Sequence, residues 1–185
     1  CGTRSCNASS MPTSATVGPS PRPETRPPSP AVPHRVPSPS NRVVALSNRQ
    51  RARRVSLAAV RRWTLAALAA LKADAQLAVH LVGSREMSRL NLQFLQHEGS
   101  TDIITFDHGS SPSRLAGELF ISIPDAIGHA AVFKTTWESE LGRYIIHGLL
   151  HLAGEDDLDP ASRRRMKRRE NALLRKVGME VRTST

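Results

Sequence analysis

"TTWESELGRYIIHGLLHLAGEDD", residues 135–157, is the stretch whose reading decides the fold. Thr135 and Glu138 form the threonine-x-x-glutamate pattern of a capping box, so a helix is expected to begin near Thr136. Trp137, Leu141, Ile145, Leu149 and Leu152 recur at steps of three or four residues, which gives that helix a buried face, and Gly154 ends it. His147 and His151 stand at i and i+4, so both imidazoles leave the same face and can grip one cation. Beyond Gly154 the chain supplies Glu155, Asp156 and Asp157. One of these carboxylates can return to complete a three-ligand set with a fourth position open to water, as catalytic zinc sites have.

Gly148 bears on the chemistry. In zinc peptidases of the H-E-x-x-H type, the glutamate after the first histidine is the general base. Gly148 has no side chain for that task, which steers the pattern away from peptide hydrolysis. Glycine there also permits another element to approach closely, so a packing role is the second reading.

Working outward, Arg42 to Leu46 reads as a short strand, and Leu57, Val60, Leu65, Leu68 and Leu71 make an apolar stripe on a helix from about Ser56 to Leu71. Gln76 to Val82 alternates Leu77, Val79 and Leu81 inward, as a half-buried strand does. Ser84 is expected to cap a helix reaching about Gln96, and two strands follow in "TDIITF" and "GELFISI". Pro124 suits the first position of a helix ending near Phe133, and Asp159 with Pro160 opens a last helix that closes at Gly178. Helices and about four strands mix without strict alternation: an α+β domain, not a doubly wound one.

Ten of the thirteen prolines lie in the first forty residues, among serine, threonine and arginine, with few branched aliphatic residues to bury. Such a segment cannot offset its chain entropy, so residues 1–40 are expected to be a disordered tail and 41–181 the folded unit. The tail is rich in arginine and serine and nearly free of acids, the composition of an organelle transit peptide; a bland extension is the alternative. The formal charge is +10, of which the tail holds +3 (four arginines against Glu24), leaving +7 on residues 41–185. That excess favours polyanions, nucleic acid above all. Both cysteines, Cys1 and Cys6, lie in the tail, so the domain has no disulfide framework and suits a reducing compartment. No run approaches the roughly 18 apolar residues of a membrane span.

"SRRRMKRRE", Ser162 to Glu170, puts Arg163, Arg164, Lys167 and Arg168 on adjoining rows of the last helix. This is either a clamp for an RNA backbone or a solvated helix face. "NRQRARR", Asn48 to Arg54, is a second basic cluster. The few aromatic residues do not interleave with these runs, so an aromatic platform for base stacking is not predicted. His108 and His129 are further candidate ligands or proton shuttles.

The stretch 147–157 resembles the signature of the YbeY family of metal-dependent endoribonucleases, H-G-x-L-H-L-x-G-x-D-H. His147, Gly148, Leu150, His151, Leu152, Gly154 and Asp156 match in place; at the family's third histidine stands Asp157. An aspartate oxygen binds zinc at nearly the distance of an imidazole nitrogen, so Asp157 is assigned as third ligand, with Asp156 the fallback. "LNLQFLQHEGSTDIITF" and "AGELFIS" are similar to two further family segments, and Met166 and Glu170 sit at spacings like those of its last helix. Where the family has an arginine, this chain has Leu95; Arg89 and Arg143 are candidates to stand in.

The resemblance implies a zincin-like α+β fold with an approximately four-stranded mixed sheet, and one zinc ion held by His147, His151 and Asp157. It further implies cleavage of single-stranded RNA, with ribosomal RNA precursor as substrate, the ribosomal subunit as partner, and a cytoplasmic role in ribosome maturation and quality control. Neither DNA nor membrane is expected as a partner. Two rivals stand beside this reading: a non-catalytic ribosome-assembly factor in which the metal only fixes the loop after Gly154, and a zinc peptidase-like hydrolase, which Gly148 opposes.

Overall fold

The computed structural model describes residues 41–179. The expected tail over residues 1–40 and the expected domain end at Val181 lie outside the described residues. In chain order the elements are β1 (Arg42–Asn48), α1 (Leu57–Leu71), β2 (Asp74–Val82), α2 (Ser84–Leu90), β3 (Ile103–Asp107), β4 (Arg114–Ser122), α3 (Ile123–Phe133), α4 (Trp137–Leu152) and α5 (Pro160–Val177). The fold is α+β, with one four-stranded sheet in the order β1-β2-β4-β3. β1, β2 and β4 run parallel, and β3 is antiparallel to β4, so the sheet is mixed.

Strand periodicity divides the sheet into two faces. Leu77, Val79 and Leu81 of β2, with Leu115, Leu119 and Ile121 of β4, are buried on the face that meets the helices. α4 is the element around which the rest is arranged: its residues 139–146, 148–150 and 152 are buried, far more than the single stripe expected. A helix covered on most sides explains why its apolar residues extend beyond one face. Gly148 allows it to lie close to the sheet, since a Cβ there would meet Leu119 Cδ2 at 2.7 Å, Ile103 Cδ1 at 2.8 Å and Thr105 Oγ1 at 3.1 Å. Packing is therefore what this glycine serves.

The opposite sheet face carries a smaller cluster of Val82, Met87 and Ile104, with Leu90, Phe106 and Phe120 packed against it. Phe94, Phe106 and Phe120 meet edge to face at 4.9 and 5.7 Å between ring centres. Arg49 lies over Phe120 and Arg53 over Trp137. The separation of aromatic and basic residues along the chain thus does not hold in space, because the fold brings the segment after β1 against β4 and the start of α4.

Three expected boundaries move. Thr136, not Thr135, caps α4: its hydroxyl accepts from Ser139 N at 3.2 Å, while Thr135 donates to buried Glu140 at 2.7 Å. Gly83 takes the capping position expected for Ser84, because its carbonyl accepts from both Glu86 N and Met87 N. The helix it starts then widens into a π-helical turn over Asn91–Leu95 and ends at Gln96, whose φ is +57°. The Asn91 side chain clasps the following loop by donating to Gly99 O at 3.0 Å. Pro124 stands at the second position of α3, after Ile123. Asp159 caps α5 and Gly178 closes it.

Candidate metal centre

α4 delivers His147 and His151 one turn apart at its C-terminal end, and the turn after it brings in a carboxylate. Gly154, at φ +87°, lets Gly154 N and Glu155 N bond back to the His151 and Leu150 carbonyls and reverse the chain. His147, His151 and Asp157 each offer a ligand atom, and these lie within 4.8 Å of one another. Asp157 Oδ1 is 3.9 Å from His151 Nε2. Asp156, the fallback, is exposed and accepts from Leu158 N at 3.3 Å instead.

The imidazoles are oriented by their other nitrogens. His147 Nδ1 lies 2.7 Å from Glu170 Oε1, and His151 Nδ1 2.9 Å from the Glu155 carbonyl. A carboxylate and a carbonyl only accept, so each Nδ1 carries the proton. In the neutral rings both Nε2 atoms are then bare lone pairs, and they face each other at 2.9 Å. Two lone pairs at that distance repel unless a proton or a metal cation sits between them. Nitrogens bound to one tetrahedral ion at about 2.0–2.1 Å stand roughly 3.3 Å apart, close to this spacing. The donor set, two imidazoles and one carboxylate with both imidazole backs held, fits a divalent cation.

Glu170 is the functional residue for which the sequence offered only a spacing. Its Oε2 accepts from Arg143 at 3.2 Å, and Arg143 also donates to Asn171 at 3.1 Å and lies 3.8 Å from Glu140. A single acid on a helix with eight arginines and lysines was the available signal. Burial lowers the proton affinity of His147, but the hydrogen bond and charge of Glu170, with Asp157 and Asp102, outweigh it and leave the pKa raised above the ordinary value.

The other candidates fall elsewhere. His108 pairs with Glu118 at 3.8 Å on the outer face of the sheet, where His80 bridges Ser47 at 2.7 Å and Glu118 at 3.2 Å. His129 meets the Tyr144 hydroxyl at 2.5 Å. Leu95 is about half exposed, and Arg143 is buried in its ion pairs. Arg89 does not line the cavity beside His147.

Fold and site together define an α+β domain whose central helix presents a two-histidine, one-carboxylate centre suited to a single divalent ion. The family model described as Endoribonuclease YbeY matches residues 45–178. Proteins named Endoribonuclease YbeY are similar in sequence. The one from Aromatoleum aromaticum is 37% identical over 134 residues, covering 72% of this chain and 84% of its own. The one from Chlorobium luteolum is 41% identical over 102 residues, covering 55% and 74%. The chain belongs to the YbeY family. Its fold is similar to the solution structure of TM1509 from Thermotoga maritima, with a TM-score of 0.56 at 23% identity, over 73% of this chain and 89% of that one.

Proposed function

We propose that this chain is a metal-dependent endoribonuclease that cuts single-stranded RNA, with a zinc ion held by His147, His151 and Asp157. The observation that carries the reading is the convergence of the two Nε2 atoms, 2.9 Å apart, with the Asp157 carboxylate, all three ligand atoms lying within 4.8 Å of one another. Family membership supplies the reaction, since the relatives are named for it.

When bound, such an ion supplies a Lewis acid that polarises a phosphoryl oxygen and eases deprotonation of water. The chain's own residues prepare the place for it. Glu170 holds the His147 ring in the tautomer with Nε2 free, and Arg143 fixes Glu170 by donating to its other oxygen. The Glu155 carbonyl does for His151 what Glu170 does for His147. Gly148 faces the sheet, so the position that serves as base in H-E-x-x-H peptidases belongs here to the core, which speaks against peptide hydrolysis.

The reading includes ribosomal RNA precursor as substrate, association with the ribosomal subunit, a part in ribosome quality control and a cytoplasmic location. The net charge of residues 41–185 and their lack of cysteine agree with it. No helix among the described residues is long and apolar enough to cross a membrane. The test is His147→Ala, measured for bound zinc and for cleavage of a single-stranded oligoribonucleotide. Both are expected to be lost, and full cleavage by protein stripped of metal would sink the mechanism.

Leu95, an exposed aliphatic residue where the family resemblance calls for a guanidinium, favours a second reading. In it the ion only holds the loop after Gly154, and the chain serves ribosome assembly without cutting RNA. Wild type that binds zinc yet leaves RNA intact, with cleavage first arising in Leu95→Arg, would establish that alternative.

A further inference from the structure

A cavity of about 180 Å³ opens beside His147, and its walls differ in chemistry. His147 and Asp157 line it together with the Arg143–Glu170 pair, and so do Arg163 and Lys167, one turn apart on α5. The volume lies below the roughly 300 Å³ at which pockets for drug-sized ligands begin, and suits a single phosphodiester group.

The cations around this cavity are not equivalent. Arg143 is buried and committed to Glu170 and Asn171. On α5, Arg165 donates to the Ser162 hydroxyl at 2.8 Å and Arg169 pairs with Glu155. Arg163 is exposed, and its guanidinium donates a single N–H to the main-chain carbonyl of Asp157 at 3.3 Å. That bond uses one of five N–H donors and anchors the group on the segment that presents the third ligand. Lys167, also exposed, stands at i+4 on the same helix face.

We propose that Arg163 and Lys167 form a phosphate-binding site continuous with the His147–His151–Asp157 centre, which grips the non-bridging oxygens of an RNA phosphodiester and holds it there. The inference rests on the endoribonuclease reading above and deepens it. The charges agree. Asp157 contributes −1 and Arg143 is shared between Glu170 and Glu140, so a divalent ion alone leaves a net charge of about 0. Arg163 and Lys167 raise it to about +2, and Arg163 adds the planar fork that matches a phosphate edge. The π-helical turn with Leu95 offers no such group, so the cation comes from α5.

The experiment uses the full chain loaded with zinc and compares Arg163→Gln/Lys167→Gln with Arg175→Gln/Lys176→Gln, an equal charge loss on exposed residues at the far end of the same helix. On a short single-stranded oligoribonucleotide the first pair is expected to lower kcat/KM about 100-fold with zinc content unchanged, and the second to stay within about twofold. Lys167→Gln alone, which leaves the Arg163–Asp157 bond intact, is expected to lose about tenfold. Equal losses in the two pairs, no loss in the first, or loss of zinc together with activity would overturn the proposal. If wild type cuts no RNA, the endoribonuclease reading has failed, and the site is judged by titrating inorganic phosphate into the zinc-loaded protein. Weaker binding confined to the 163/167 variants then supports it, and equal or absent binding in wild type and variants refutes it.

Discussion

At His147 burial is the largest single influence, but Glu170 of another helix, together with Asp157 and Asp102, outweighs it. Burial resists a charged imidazole, yet Glu170 raises the proton affinity, and the residue's pKa stands above that of the unfolded chain. A raised histidine pKa stabilises the fold fully below the unfolded value near 6.5, and that contribution disappears as pH rises through the folded value. Metal-free protein is therefore expected to melt at a lower temperature at pH 8 than at pH 6, and Glu170→Gln to flatten the difference. Zinc competes with the Nε2 proton, so its affinity should follow the opposite course and strengthen over the same window. Glu170→Gln should also weaken zinc binding about 10- to 100-fold, the usual cost of losing the carboxylate behind a ligand histidine. Calorimetric titration with zinc measures this, and unaltered affinity would show that Glu170 does not orient the ring.

At the scale of the element, α4 has to pack against β3 and β4 and present ligands at its end. Both tasks depend on its distance from the sheet. Gly148→Ala forces a Cβ to within 3 Å of Leu119 and Ile103, whose side-chain ends can yield only partly in a filled core. A loss of about 1–3 kcal/mol in urea unfolding is expected. A shift of the helix would also move His147 relative to Asp157, so zinc affinity should fall along with stability. Thr136→Ala removes the hydroxyl that caps the helix at its other end and should cost about 1 kcal/mol, with zinc affinity unchanged. The contrast separates packing at the ligand end from general helix stability.

For the whole molecule, the proposed metal binding is linked to folding, because the three candidate ligands come from two segments and converge only in the folded chain. With free zinc at about 1,000 times its dissociation constant, the fold is expected to gain roughly 4 kcal/mol, which corresponds to about 10 °C in Tm for a domain of this size. A chelator should reverse that gain in wild type and change nothing in His147→Ala. We further propose that residues 41–181 form a self-sufficient domain. A chain starting at Asn41 is expected to melt within about 2 °C of the full-length protein and to bind zinc equally well, and a large drop in Tm would refute the boundary.

What the sequence determined by itself is local and periodic. The i, i+4 histidines share a face because a helix returns every 3.6 residues, Gly154 ends the helix because a left-handed residue is needed there, and Leu77, Val79 and Leu81 face the core because strands alternate. The α+β class was legible on those grounds together with the family resemblance, and so was the convergence of His147, His151 and Asp157 that the proposed metal centre rests on. Only the tertiary structure decided which atoms meet across helices and strands. Glu170 lies 23 positions from His147, and its role depends on how α5 crosses α4. That crossing also divides the cations of α5, turning Arg163 and Lys167 toward the centre while Arg165 and Arg169 serve bonds within the fold. Helical periodicity names the face a residue occupies, but what that face meets is set by packing between elements distant in the chain.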